Sequence, residues 1–111
     1  MAQLRLSLLG TFQASLDGKQ LIGFASNKVR ALLAYLAVEA DRPHNREVLA
    51  TLLWSDSPQQ KALNNLRNAL SNLRKQLEEP QAGIPFVWVN HDTLQFNTQI
   101  VDRLEVIQAD L

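Results

Sequence analysis

Between residues 4 and 24 the apolar side chains come in short runs separated by turn-forming residues. Leu4-Arg5-Leu6-Ser7-Leu8-Leu9 ends at Gly10, Phe12 to Leu16 ends at Asp17-Gly18, and Gln20 to Ile22 follows. Asp-Gly between strand-like residues is the pattern of a type I′ hairpin turn, in which both central residues need positive φ. A small antiparallel sheet is predicted at the start of the chain.

The apolar period then lengthens to that of helices. Ser26 is a candidate cap for a helix from Asn27 to about Ala40, with Val29, Leu32, Leu33, Leu36 and Ala37 along one face. Asp41-Arg42-Pro43 ends it, and Asn45 is a second cap, ahead of a short helix over Arg46 to Trp54 that would bury Val48, Leu49, Leu52 and Leu53. The short turn between the two is that of a helix-turn-helix. Pro58 fits the first turn of a third helix continuing to Glu79, just before Pro80. Leu63, Leu66, Leu70, Leu73 and Leu77 fall in one stripe of it, while Lys61, Asn64, Asn68, Ser71, Asn72 and Lys75 gather on the far side. Phe86 to Val89 and Thr93 to Phe96 bracket Asn90-His91-Asp92 as a closing hairpin. Strands, three helices and a hairpin, in that order, predict an α+β winged helix-turn-helix with an N-terminal antiparallel sheet and a C-terminal β-hairpin wing, over residues 1–97. Residues 98–111 are acidic and show no strand alternation over their length, so they are expected to be a linker or the start of a following domain.

At 111 residues and 46% apolar content the chain can close one core and is too short for two. With no cysteine, disulfides, thiolate zinc sites and thiol catalysis are excluded together, which suits a reducing cytoplasm. No apolar run approaches the ~20 residues that cross a bilayer, and none follows a basic flank at the start. A soluble cytoplasmic protein without membrane contact is expected. The net charge of +0 hides a segregation: residues 1–77 hold 10 of the 11 cations and 5 of the 11 acids. The body is basic and the tail acidic.

Several strings in this order resemble a known family. They are Leu8-Leu9-Gly10 with Asp17-Gly18, Arg30-Ala31-Leu32-Leu33-Ala34-Tyr35-Leu36, Arg46-Glu47-Val48-Leu49-Ala50, Leu53-Trp54-Ser55-Asp56, and the stretch from Asn65 to Lys75. From about residue 4 to 97 the chain is similar to the DNA-binding domain of the Streptomyces antibiotic regulatory protein group and its relatives with a bacterial transcriptional activator domain, a branch of the OmpR/PhoB-type winged helices. Val101-Asp102-Arg103-Leu104-Glu105 resembles the entry into the helical activator domain of these relatives. The resemblance implies a third helix in the major groove of double-stranded DNA, a wing near the minor groove, and head-to-tail pairs on direct repeats. It also implies that the loop holding Ser55, Asp56, Ser57 and Gln59 faces RNA polymerase, and that Trp54 packs in the core near the DNA backbone. Ala69 and Asn72 stand where relatives commonly carry basic or imidazole side chains, and the wing tip has no Lys or Arg.

Candidate contacts follow from side-chain chemistry. Asn pairs bidentately with adenine in the major groove, so Asn64, Asn68 and Asn72, spaced by four, are candidate base readers, with Ser71 beside them. Asn is a poor helix former, so several in one helix carry a propensity cost that DNA contact would offset. Lys61, Arg67, Arg74 and Lys75 are candidate phosphate contacts. Arg46 and the amides beside the Asn45 cap form a second candidate site for phosphate, which Lys28 and Arg30 could extend. Trp88 is expected in the core or at an interdomain surface. His44 and His91 have no ligand-spaced partner, and the chain has no phosphate loop and no recognisable catalytic set, so neither metal, cofactor nor enzymatic activity is expected. Two alternatives remain open: a docking or regulatory module that has lost DNA binding, favoured by the uncharged wing tip and by Ala69 and Asn72, and an accessory domain of a larger ATPase regulator.

Overall fold

The computed structural model describes residues 3–8, 11–78 and 85–98, and the backbone alone of 103–107. Strand β1 (Gln3–Ser7) pairs antiparallel with β2 (Gln13–Leu16), and β2 with the two-residue β3 (Lys19–Gln20). The turn between β2 and β3 has φ of 53° at Asp17 and 80° at Gly18, the left-handed pair that the Asp-Gly sequence predicts. Asp17 also ties the turn to β1: its Oδ1 accepts from the Gln3 N–H at 2.6 Å and its own N–H donates to the Gln3 carbonyl at 2.8 Å. Alternation puts Leu4, Leu6, Ala14 and Leu16 inward, all buried. The third apolar run barely reaches the sheet, and Ile22 stands 80% exposed.

A fourth strand occupies residues 103–107, inside the stretch expected to be a linker or the start of a following helical domain. β7 (Arg103–Ile107) lies parallel to β1, from Gln3 opposite Arg103 to Ser7 opposite Ile107, giving the sheet order β3-β2-β1-β7. A parallel partner almost a hundred residues away has no turn to announce it, and five residues are too short for alternation to stand out. The second edge of β1 offers the unpaired N–H and C=O groups that this pairing satisfies.

Helix α1 (Asn27–Val38) starts at Ser26, whose Oγ accepts from the Val29 N–H at 3.3 Å, and buries the five residues expected. After it, His44 is buried with Nε2 2.8 Å from the Glu39 carbonyl and its ring edge-on to Tyr35. His44 opens the short strand β4 (His44–Asn45), an element the sequence does not announce. Helix α2 (Arg46–Leu53) buries Leu49, Ala50 and Leu53. Val48 and Leu52, expected inside, are 62% and 55% exposed. In a helix of little more than two turns, seating Leu49 and Leu53 turns their preceding neighbours about 100° away from the core.

Helix α3 (Gln59–Leu77) buries Ala62, Leu66, Ala69, Leu70, Leu73 and Leu77, and leaves Leu63 half-buried. Its inner face is therefore centred on the alanine side of the leucine stripe. Strands β5 (Val87–Val89) and β6 (Thr93–Phe96) make the hairpin, and β4 joins it in the order β4-β6-β5. Phe86, Val87, Leu94 and Phe96 close the core. Trp88 and Val89 are half-exposed, so Trp88 belongs to the surface. The Glu78 carboxylate accepts from the Phe86 N–H at 3.0 Å, fixing the start of the wing to the end of α3. No helix among the described residues is long and apolar enough to cross a membrane.

Candidate nucleic-acid interface

The outward face of α3 is the largest feature the core does not explain. Six apolar residues hold one side of the helix, and the opposite side carries Lys61, Asn64, Asn68, Ser71 and Lys75, all exposed. Arg67 and Arg74 are exposed on one flank of that strip. Residues 59–77 contain no Asp or Glu, so four cations act along the face without an opposing charge on the helix. Arg74 and Lys75 in the last turn also complement the negative end of the macrodipole.

The amide series divides along its length. At 3.6 residues per turn, steps of four residues drift by about 40° around the axis. Asn64 and Asn68 consequently stand on the outer face, whereas Asn72 and Gln76 come round to the flank packed against the chain leading into α1 and are half-buried. Asn64 accepts from Gln60 Nε2 at 3.4 Å, a contact along the surface of the helix. Asn72 differs in kind. Its Oδ1 accepts from the Ala25 N–H at 2.8 Å and its Nδ2 donates to the Gly23 carbonyl at 3.1 Å, which withdraws it from the outer strip of candidate base readers. Gln76 Oε1 accepts from the Gly23 N–H at 3.3 Å. A Cβ at Gly23 would run into the Gln76 side-chain amide, which would have to move aside and give up its bond to the segment. Gly23 and Gln76 went unnoticed in the sequence; the only signal was the drift of the four-residue row toward the packed side.

Position 69, like position 72, is turned from the outer strip, because Ala69 is buried. Trp54 is half-buried against the core and lines a cleft with Ala25, Ser26, Val29, Asn65 and Asn68. The expected packing role of Trp54 is thus met, beside the outer face of α3.

The other candidate cations divide between surface and scaffold. Asn45 Oδ1 accepts from the Val48 N–H at 3.1 Å, and the Arg46 N–H donates to the Asp92 carbonyl at the wing tip. With two of the first amides of α2 engaged, the half-buried Arg46 is left as the cation of that end. Lys28 donates to the Leu53 carbonyl at 2.6 Å and so caps the C-terminus of α2. Arg30 lies over the Phe24 ring at 5.6 Å and reaches Asn27 Oδ1 at 2.9 Å. Both are thus engaged within the fold. After α2, Ser55, Asp56 and Gln59 are exposed and Ser57 half-buried; Ser55, Ser57 and Gln59 line a shallow groove with Val48, Thr51, Leu52 and Trp54. The wing tip is open: the His91 ring sits 3.8 Å from the Asp92 carboxylate, and both are mostly in solvent. Among the described residues no group of three or more His, Asp or Glu could hold a metal ion.

Comparison with known proteins agrees with this geometry. Residues 24–88 match the family described as "Transcriptional regulatory protein, C terminal", which covers more than half of the chain. Over 75 residues the chain is 36% identical to the transcriptional regulatory protein EmbR of Mycobacterium tuberculosis and of Mycobacterium bovis, covering 68% of this chain and 19% of EmbR. The solved structure of Mycobacterium tuberculosis EmbR in complex with a low-affinity phosphopeptide superposes with a TM-score of 0.70 at 30% identity, over 87% of this chain and 26% of that one. The chain therefore spans about a fifth of the length of the curated relatives it matches. An exposed, acid-free helix on a three-helix core with a wing, and a family match that spans the three helices, lead to one assignment: this chain belongs to the C-terminal domains of transcriptional regulatory proteins, DNA-binding winged helices of the OmpR/PhoB type.

Proposed function

We propose that α3 enters the major groove of double-stranded DNA with Asn64, Asn68 and Ser71 toward base edges and Lys61, Arg67, Arg74 and Lys75 toward phosphates. The observation that carries this reading is the outer face of α3, exposed, rich in amides and cations, and without a carboxylate. Amides supply paired donors and acceptors for bases, while the cations supply the counterion release that dominates affinity. Arg46 adds a phosphate contact at the start of α2. The wing tip, with Asp92 and no cation, is not given a DNA contact. The domain acts by binding, without catalysis or cofactor, in the compartment of the chromosome.

Two partner surfaces belong to the same reading. RNA polymerase is assigned to the loop Ser55–Gln59, supported by its exposure and by the neighbouring apolar Val48 and Leu52. Head-to-tail pairing on direct repeats is assigned on family resemblance. The test of the main reading is selection of DNA from random duplexes, followed by titration of the selected and a scrambled duplex at several salt concentrations. Selection of a defined site with a steep salt dependence is the expected result. Failure to enrich any sequence would favour the docking module instead.

A further inference from the structure

Three hydrogen bonds from α3 converge on residues 23–25. They come from Asn72 and Gln76, one turn apart, and all end on backbone groups rather than on side chains. Ala25 immediately precedes Ser26, the cap of α1, and both residues form the wall of the cleft that also holds Asn65, Asn68 and Trp54. The segment held by Asn72 and Gln76 is thus the wall beside Asn68. The remaining hold on α3 is largely apolar contact through leucines and alanines, which is non-directional and tolerates a small roll about the axis. Hydrogen bonds at two points a turn apart do not tolerate it.

We propose that Asn72, with Gln76 and the bare backbone of Gly23, is a positioning device for DNA reading: it sets the roll of α3 against the entry to α1 and so the aim of Asn68 and Asn64, without touching DNA itself. The proposal rests on the DNA reading of α3 above and deepens it. Recognition of base edges demands side chains held within fractions of an ångström, whereas phosphate attraction does not. Loss of the clamp therefore acts on discrimination between sequences and leaves the number of phosphate contacts unchanged.

The experiment compares Asn72→Ala, Gly23→Val and the parent domain. Each is titrated with the selected and a scrambled duplex over a range of salt, and amide hydrogen exchange is followed at Ala25 in the free protein. Gly23→Val puts a side chain where the Gln76 amide lies, so Gln76 is pushed off the segment while Asn72 and the outer-face residues of α3 keep their identity. Both variants are expected to exchange Ala25 faster, to lose about tenfold in the ratio of selected to scrambled affinity, the scale of one misplaced bidentate pair, and to keep the parent salt slope. A ratio lowered by Asn72→Ala but unchanged in Gly23→Val overturns the proposal and makes Asn72 a base reader. An unchanged ratio in Asn72→Ala overturns it as well, whatever the exchange shows. Should Gly23→Val fail to fold by circular dichroism, Gln76→Ala takes its place, with a smaller loss expected in the same direction and a parent-like ratio counting against the clamp. A parent domain that does not distinguish the duplexes defeats the DNA reading itself, a separate outcome from failure of the clamp.

Discussion

Helices α2 and α3 pack on the same core and show solvent opposite faces. On α3 the exposed strip is amide and cation, with every leucine except the half-buried Leu63 buried. On α2 the exposed side includes Val48 and Leu52. The difference is one of length. A nineteen-residue helix repeats its pattern five times, so the face that must be buried is over-determined; an eight-residue helix samples each direction about twice, and its seating is decided by its neighbours. Amphipathic reading is thus sound where the helix is long. Where it is short, apolar side chains can be left over, and at the mouth of a loop such a remainder is a surface another molecule can use.

The largest expected effect lies on the inner side of α3. Leu70→Ala or Leu73→Ala should cost about 2 to 5 kcal/mol in denaturant unfolding, since each removes an enclosed side chain from a domain with about 5 to 15 kcal/mol in total. A loss under about 0.5 kcal/mol would invert the assignment of faces. On the outer side, Asn68→Ala should lower preference for the selected duplex by about 1 to 3 kcal/mol while leaving the melting midpoint near that of the parent. Equal binding of both duplexes by parent and variant would remove Asn68 from the readout. Lys75→Ala should act differently, weakening binding to all duplexes and reducing the salt slope by roughly one unit. If affinity and slope stay put, the outer face is only a solvated one. The smallest stability effect belongs to α2: Leu52→Ala should change unfolding free energy by no more than about 0.5 kcal/mol. A cost near that of Leu73→Ala would show that Leu52 is covered in solution and would erase the contrast between the helices.

Much of the fold could be read from local pattern. Ser26 and Asn45 cap the helices they precede, Asp17-Gly18 makes the turn it predicts, and α1 buries the five residues its spacing selects. The limits of α3 were legible to within two residues, because Pro58 and a long leucine period mark them. The candidate site was legible only in part. Asn64 and Asn68 share a spacing with Asn72; the drift of a four-residue row says that it winds round the helix, but not which backbone groups its inner end will meet.

What the sequence determined by itself is therefore whatever depends on neighbours along the chain: caps, the hairpin turn, the period of each long helix, and the absence of acid from residues 59–77. Tertiary structure decided the rest. Pairing of β7 with β1, the exposure of Val48 and Leu52, the diversion of Lys28 to the end of α2 and the division of the amide row all depend on which distant surface arrives next to each group. Local pattern constrains which face of an element is apolar, but hydrogen-bond partners are chosen by proximity in space, and a carbonyl at Gly23 or Leu53 has no side-chain signature to announce that it will be waiting there.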